Sequence, residues 1–327
     1  MSTLYPFIFT PIYKSKIWGG NKCNTILYKT DAPKELCGES WEISGIEDEC
    51  SVVSNGELAG NTLNELIDIY MDEIVGTKIL DKYDHEFPLL IKFLDVNDLL
   101  SLQVHPNDKL AERRHNSLGK TEIWYIVQAD KDAELSIGFN KSIDKDIFIE
   151  NAITNRLPEI INTTKAQSDE AYFIPAGLVH GGGKGLLIAE IQQSSDVTYR
   201  IFDWNRKDSE GKARELHLDM ALDALDYSSK NDYRSVFEKK LNEPSQVATC
   251  DYFTVNRLEF SKPFDKDYSL LDSFVVYMCL DGEFSISYNE NESITILKGQ
   301  TVLIPAKLDK LQLIPNKKAE ILEVFVP

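Results

Sequence analysis

Along most of the chain, apolar residues come in clusters of four to eight, set apart by glycine, proline and asparagine-rich turns. That spacing predicts short β-strands more than helices. The runs 88–94, 123–127, 172–174 and 186–191 are nearly all apolar and read as strands buried on both faces. Helical periodicity is clearest where Leu63, Leu66, Ile67, Tyr70, Met71 and Ile74 repeat at i, i+3, i+4 and i+7. Thr62 and Glu65 stand at capping-box spacing in front of them. Weaker helical patterns cover about 144–157 and 212–225. The last ninety residues read as a meander, with strands at 274–282, 283–288, 294–299 and 302–304.

Residues 302–310 repeat the form of 172–180. Each is an apolar strand ending in Ile-Pro-Ala, with a polar residue five positions after the proline. In the first copy that residue is His180, and in the second it is Lys310. The repeat predicts two related β units, with a boundary in the polar, turn-rich stretch 230–247.

Composition narrows the field. Of 327 residues, 43% are hydrophobic, enough for a sizeable core. Lys and Arg number 35 against 53 Asp and Glu, a net charge of −18. That excess argues against nucleic acid or an acidic membrane as partner, yet leaves room for a small phosphorylated ligand in a locally basic pocket. No run approaches the roughly 18 apolar residues of a membrane span, and the N-terminus lacks a basic, then apolar, leader pattern. The five cysteines are widely spaced with no CxxC pair, as expected of free thiols in a cytoplasmic protein.

Candidate chemistry is concentrated in about a hundred residues. Gln103 and His105 are two apart, so a strand would project both to one face. Glu122 begins the next apolar run, and His180 follows the turn at Pro175-Ala176-Gly177. Two imidazoles, a carboxylate and an amide suit zinc, with iron, manganese or cobalt as alternatives, and Gln103 is the weakest donor. Lys120, Glu190, Asp196 and Arg200 lie close by in sequence. An arginine fork recognises phosphate or steadies an oxyanion, and a carboxylate beside a polarised carbonyl can move a proton. His85, His115 and His217 sit in polar contexts and read as structural or surface residues.

Taken together, Trp18-Gly19-Gly20, the 39–44 segment, 88–106, Gly119-Lys120-Thr121-Glu122, 175–180 and 190–200 resemble the type I phosphomannose isomerases, zinc-dependent cupins. The resemblance spans most of residues 10–206 and is closest to the short bacterial form, since only about fifty residues separate Glu122 from Pro175. It implies a mainly β fold of two cupin-like β-barrel (jelly-roll) units with a few accessory helices. Residues 1–235 would form the metal-binding catalytic unit and 236–327 a degenerate cupin-like unit that has lost its ligands. It implies one Zn2+ per chain on Gln103, His105, Glu122 and His180. Lys120, Glu190 and Arg200 would be catalytic, and Lys92, Ser101 and Asp196 would bind substrate. The reaction implied interconverts mannose 6-phosphate and fructose 6-phosphate through a cis-enediolate. Its base is left open among Glu190, Lys120 and a metal-bound water, and Arg200 falls nearer the reacting end than the phosphate. Two other readings remain: another metal-dependent cupin enzyme, and a non-catalytic cupin that senses a phosphosugar. Oligomeric state is not legible.

Overall fold

The computed structural model describes residues 4–207, 211–289 and 292–327. In chain order the strands of the first part are β1 (Phe7–Thr10), β2 (Ile12–Gly20), β3 (Cys37–Ile43), β4 (Val52–Val53), β5 (Leu89–Val96), β6 (Leu102–Val104) and β7 (Glu122–Ala129). Then come β8 (Glu134–Phe139), β9 (Ile161–Lys165), β10 (Ala171–Ile174), β11 (His180–Gly182), β12 (Leu186–Gln193) and β13 (Tyr199–Phe202). The remainder are β14 (Ser245–Thr249), β15 (Thr254–Phe260), β16 (Phe264–Asp267), β17 (Val275–Tyr288), β18 (Glu292–Leu297), β19 (Thr301–Ile304) and β20 (Lys310–Phe325). All four predicted buried strands are present, as β5, β7, β10 and β12.

Three sheets result. The first barrel pairs a six-stranded sheet, β10-β7-β12-β5-β2-β3, with a five-stranded one, β13-β6-β11-β8-β9. The second barrel is a nine-stranded sheet along the path β14-β15-β20-β17-β19-β1-β4, with β16 on β20 and β18 on β17. The chain's first strand therefore closes the sheet built from its last: Phe7 pairs with Leu303 of β19.

Strand alternation sorts the apolar side chains into separate cores, three of which bear on how the barrels meet. On β7, Trp124 and Ile126 face the interior of the first barrel with Leu94, Ile137 and Ile188. Ile123 and Tyr125 face the other way, into a core shared with the second barrel that holds Phe93, Ile191, Phe274, Val276 and Val324. Val275, Tyr277 and Cys279 of β17 fill the second barrel's interior. At about 25 cal/mol per Å2 of apolar surface removed from water, a core common to both barrels binds them more firmly than a hinge-like contact would.

The predicted capping box is present, and its helix runs Leu63–Tyr70. It stops at Met71, whose φ of 52° breaks the α geometry, and Ile74 lies in a separate short helix, Asp72–Val75. Of the 212–225 pattern only Leu218–Ala224 is helical. The expected break near Gly282 does not occur: β17 runs through it with register shifts at Cys279/Asp281 and Gly282/Phe284. Bulges there bend the strand without ending it.

The internal repeat is structural. Leu178 N donates to Pro175 O, and Leu308 N donates to Pro305 O, so both Ile-Pro-Ala segments close the same turn. His180 and Lys310 each begin the following strand. Matching Ile174 to Ile304 matches Trp124, opposite Tyr172 and Glu190, to Tyr277, opposite Val302 and Glu323. Glu323 thus occupies the place of Glu190. Around it the second barrel is filled by its own side chains: Lys266 Nζ lies 2.7 Å away, Asn256 Nδ2 donates at 2.9 Å, and Tyr268 also donates. Among the described residues no helix is long and apolar enough to cross a membrane.

Candidate metal centre and its cleft

His105, Glu122 and His180 meet in the first barrel, each almost wholly buried, with their ligand atoms within 4.8 Å of one another. Their elements account for the convergence. His105 directly follows β6, Glu122 begins β7, and His180 begins β11, where it pairs with Gln103 of β6. The turn before His180 needs Gly177, at φ +91°, because a Cβ there would lie 2.8 Å from Ala224 O.

Hydrogen bonding sets the ring orientations. His105 Nδ1 lies 3.0 Å from Val197 O, and His180 Nδ1 lies 2.9 Å from Leu178 O. A carbonyl only accepts, so both Nδ1 atoms carry a hydrogen, and each ring turns its Nε2 toward Glu122. His180 Nε2 is 3.1 Å from Glu122 Oε1, and His105 Nε2 is 3.5 Å from Oε2. Burial holds His105 well below the usual imidazole range, with Lys120 adding to the effect. His105 Nε2 and both Glu122 oxygens are buried and make no hydrogen bond among the described residues. Lone pairs facing a carboxylate at such distances repel unless a cation stands between them, so the donor set fits a divalent metal. Gln103 places its amide 3.2 Å from His180 Nε2, near enough to be a fourth donor once the amide is turned.

Above the triad lies a cleft of about 240 Å3. Lys92, Ser101, Gln103, Lys120, Glu190, Asp196 and Arg200 all line it, so every substrate-facing residue expected from the sequence is brought together. Lys120 precedes β7 rather than lying on it, yet its Nζ reaches Glu122 Oε2 at 3.3 Å. Burial pulls this ammonium down, but Glu122 and Glu190 outweigh it and hold it above the ordinary lysine range. Glu190 is mid-strand in β12, held by Trp124 Nε1 at 2.7 Å on one oxygen and by Lys92 Nζ at 3.3 Å on the other. Arg200 pairs in register with Gln103, donates from Nη1 to Glu215 O, and leaves Nε without a hydrogen bond among the described residues. Asp196 is exposed at the rim.

Lys16, Glu39, Trp41 and Arg214 also line the cleft, and the sequence assigned none of them a site role, although Glu39 and Trp41 lie in the 39–44 segment that carries the resemblance. Glu39 accepts from Trp41 Nε1 at 2.6 Å and pairs with Lys16 at 3.1 Å. Burial alone would raise its carboxyl, but Lys92 and Lys16 hold it down at about 2. Lys14 Nζ and Lys92 Nζ each lie 4.9 Å from the Trp41 ring centroid. The signal was there, since Glu39 and Trp41 are two apart on one strand, but only the pairing of β3 with β5 puts them beside Lys92. His217 is structural as expected: its Nδ1 accepts from Arg200 N.

Residues 7–143 match the family described as phosphomannose isomerase type I, catalytic domain, and 243–320 match the mannose-6-phosphate isomerase cupin domain. Mannose-6-phosphate isomerase ManA of Bacillus subtilis is 34% identical over 316 residues, 95% of this chain and 96% of that one. The chain belongs to the type I phosphomannose isomerase family. A second member, the mannose-6-phosphate isomerase of Streptococcus mutans, is 31% identical over 94% of both chains. The crystal structure of a B. subtilis mannose 6-phosphate isomerase superposes with a TM-score of 0.87 at 28% identity, covering 98% of this chain and 99% of that one. Phosphomannose isomerase of Salmonella typhimurium, at 14% identity and TM-score 0.79, shares the fold. Both barrels of this phosphomannose isomerase family member thus have counterparts in its relatives.

Proposed function

We propose that the protein is a zinc-dependent mannose-6-phosphate isomerase that interconverts mannose 6-phosphate and fructose 6-phosphate through a cis-enediolate. One observation carries the reading: a buried His105–Glu122–His180 set with unsatisfied ligand atoms, at the base of a cleft lined by Lys92, Lys120, Glu190 and Arg200. One Zn2+ per chain, on those three residues and Gln103, would supply Lewis acidity toward the sugar's carbonyl and neighbouring hydroxyl oxygens.

The remaining chemistry falls to the chain itself. Glu190 is the acceptor of the carbon-bound proton, because it is a carboxylate held in one orientation by Trp124 and Lys92. Lys120, protonated beside two carboxylates, serves as a hydrogen-bond donor to the substrate oxygens rather than as a base. The partly unpaired Arg200 fork steadies the enediolate's negative charge. Ser101 and Asp196 orient the sugar, and Lys92 adds positive charge toward the phosphate. Residues 1–235 act as the catalytic unit and 236–327 as the supporting one, with β1 and β4 contributed to the second unit's sheet. A cytoplasmic setting belongs to the same reading, supported by five cysteines that all remain free thiols.

The test is a coupled assay of mannose 6-phosphate turnover, run with purified protein before and after chelation and with each divalent metal returned singly. Chelator-sensitive activity restored by zinc is the expected result. Absence of turnover in folded, zinc-loaded protein refutes the substrate; restoration by another metal alone refutes the zinc.

A further inference from the structure

The charges that line the cleft fall into two groups. The lysines are matched one for one: Lys16 Nζ lies 3.1 Å from Glu39, Lys92 Nζ 3.3 Å from Glu190, and Lys120 Nζ 3.3 Å from Glu122. The arginines are not matched. Arg200 and Arg214 line the cleft, Arg206 is close by, and the buried carboxylate among them is Asp203. Asp196 and Glu215 are exposed, where water screens them. Three guanidiniums against one buried carboxylate leave positive charge in excess at this end of the cleft. Burial, and after it the neighbouring Arg214, hold the Arg200 guanidinium below its usual range. Like charges held together in a pocket favour an anion between them.

Local structure brings Arg214 to the cleft and holds it there. Asp203 directly follows β13, the strand that carries Arg200. The next two residues, Trp204 and Asn205, both take left-handed backbone, each at φ 55°. Asparagine tolerates that region, whereas a bulky tryptophan stays in it only where its surroundings hold it. Here Trp204 Nε1 donates to Leu100 O at 2.6 Å, and Arg206 Nη1 donates to Leu99 O. The turn is thus tied to the segment that carries Ser101 of the cleft. The chain comes back at the bridge between Lys207 and Ala213, and Arg214 follows it.

Asp203 then fixes the arginine. Its carboxylate, 6% exposed, accepts from Arg206 Nη2 at 2.6 Å, from Arg214 Nε at 2.7 Å and from Arg214 Nη2. Burial would raise this carboxyl, but Arg214 and Arg206 hold it below its usual range. Both bonds of Arg214 lie on one edge of its guanidinium plane. The Nη1 hydrogens make no hydrogen bond among the described residues, and 29% of the side chain remains exposed.

Under the proposed reaction Arg200 meets the enediolate, and each cleft lysine is offset by a carboxylate. Arg214 is the remaining cleft cation, held rigidly and with a donor group to spare. A planar fork fixed along one edge and open on the other suits the oxygens of a phosphate. We propose that Arg214 determines specificity for a phosphorylated sugar by donating from Nη1 to the phosphate oxygens, and that Asp203 is the residue that positions it. The inference rests on the mannose-6-phosphate reading. Lys92, already paired, adds only its field.

Zinc-loaded, full-length protein is compared with Arg214→Gln and Arg214→Lys in the coupled assay. Sodium phosphate is titrated into each, calorimetrically and as an inhibitor. Arg214→Gln should raise KM for mannose 6-phosphate about 30-fold with kcat within about threefold, the loss of a charged hydrogen bond made equally in ground and transition states. Phosphate should compete with mannose 6-phosphate, and its affinity should fall in the same variant. Arg214→Lys keeps a cation for Asp203 but not the fork, so its KM should lie between. Asp203→Asn should raise KM as well and add little to Arg214→Gln in the double variant. Arg113→Gln, which removes the same charge from an exposed position in the helix Asp108–His115, should move neither KM nor phosphate affinity.

Unchanged KM and phosphate affinity in Arg214→Gln, a fall in kcat at unchanged KM, or an equal effect of Arg113→Gln overturns the assignment. If Arg214→Gln does not fold, a wild-type KM in Arg214→Lys does the same. Full additivity with Asp203→Asn overturns the positioning role. Phosphate bound through Arg214 without turnover of mannose 6-phosphate would refute the reaction and leave the anion site standing.

Discussion

At the candidate metal centre two backbone carbonyls, Val197 O and Leu178 O, set the orientation of the two imidazole rings. The triad is thus shaped for a cation by groups that do not touch it. Replacing Glu122 with Ala should leave less than about a tenth of the zinc bound and lower kcat/KM by more than about 100-fold, read by elemental analysis alongside the coupled assay. Full metal content with full activity would remove Glu122 from the site. Trp124→Phe tests a subtler claim. It deletes the donor to Glu190 Oε1, so kcat should fall about tenfold with zinc content and KM nearly unchanged, since one neutral hydrogen bond is lost. Asp95, buried behind the cleft, gives a pH prediction. Burial raises its carboxyl to about 6, against the donating backbone of Lys22. A folded pKa above the unfolded value of about 3.9 means the folded state holds the proton more tightly, so stability is lost as pH rises from about 4 through about 6. Asp95→Asn should therefore stabilise the protein by about 2 kcal/mol more at pH 7.5 than at pH 4.5; equal shifts in urea midpoint at the two pH values would contradict this. Of these residues, His105, Glu122, His180 and their neighbours were legible in the sequence because each lies in a compact local motif. Glu39 and Trp41 stood in a segment that carried the resemblance, yet their place in the cleft, like that of Arg214, was not legible, because it comes from strand pairing and loop return over long sequence distances.

At the scale of elements, the strands that line the metal centre were legible from apolar runs buried on both faces. What the pattern could not supply was where backbone geometry overrides periodicity. Ile74 continues the apolar period of its helix, but Met71 turns the chain before it. Gly282 looked like a turn, yet β17 passes through it because β18 and β20 pair with its two sides and carry it across the bulges. The capping box depends on reciprocal bonds between Thr62 and Glu65. Thr62→Ala should cost about 1 kcal/mol, measured as a lower urea midpoint at unchanged slope. An unaltered midpoint would mean the helix is held by its packed face alone.

For the whole molecule, the Ile-Pro-Ala repeat announced two related barrels, but not that they share a core or that β1 and β4 join the second barrel's sheet. Tyr125 of the first barrel donates to Glu320 of the second at 3.0 Å, and Arg257 Nε reaches Glu320 at 2.8 Å. The apolar core on the outer face of β7 and β12 is completed by residues of β15, β17 and β20. A chain cut after residue 240 would leave that face in water and β1 without β19. Such a fragment should show no cooperative thermal transition and no isomerase activity, by circular dichroism and the coupled assay. A soluble, active fragment would show that the second barrel is dispensable.

The pairing of β1 with β19 also bears on how the protein is made. Phe7 and Leu303, neighbours in the finished sheet, are synthesised almost 300 residues apart. At about 5–20 residues per second, that interval is roughly 15–60 s. Throughout it β4, made soon after, can pair one edge of β1, while the edge that will meet β19 stays open to other chains. The sheet can close only when translation is nearly finished. A ribosome-bound chaperone that shields the first ten residues should raise the yield of soluble protein more than one acting after release.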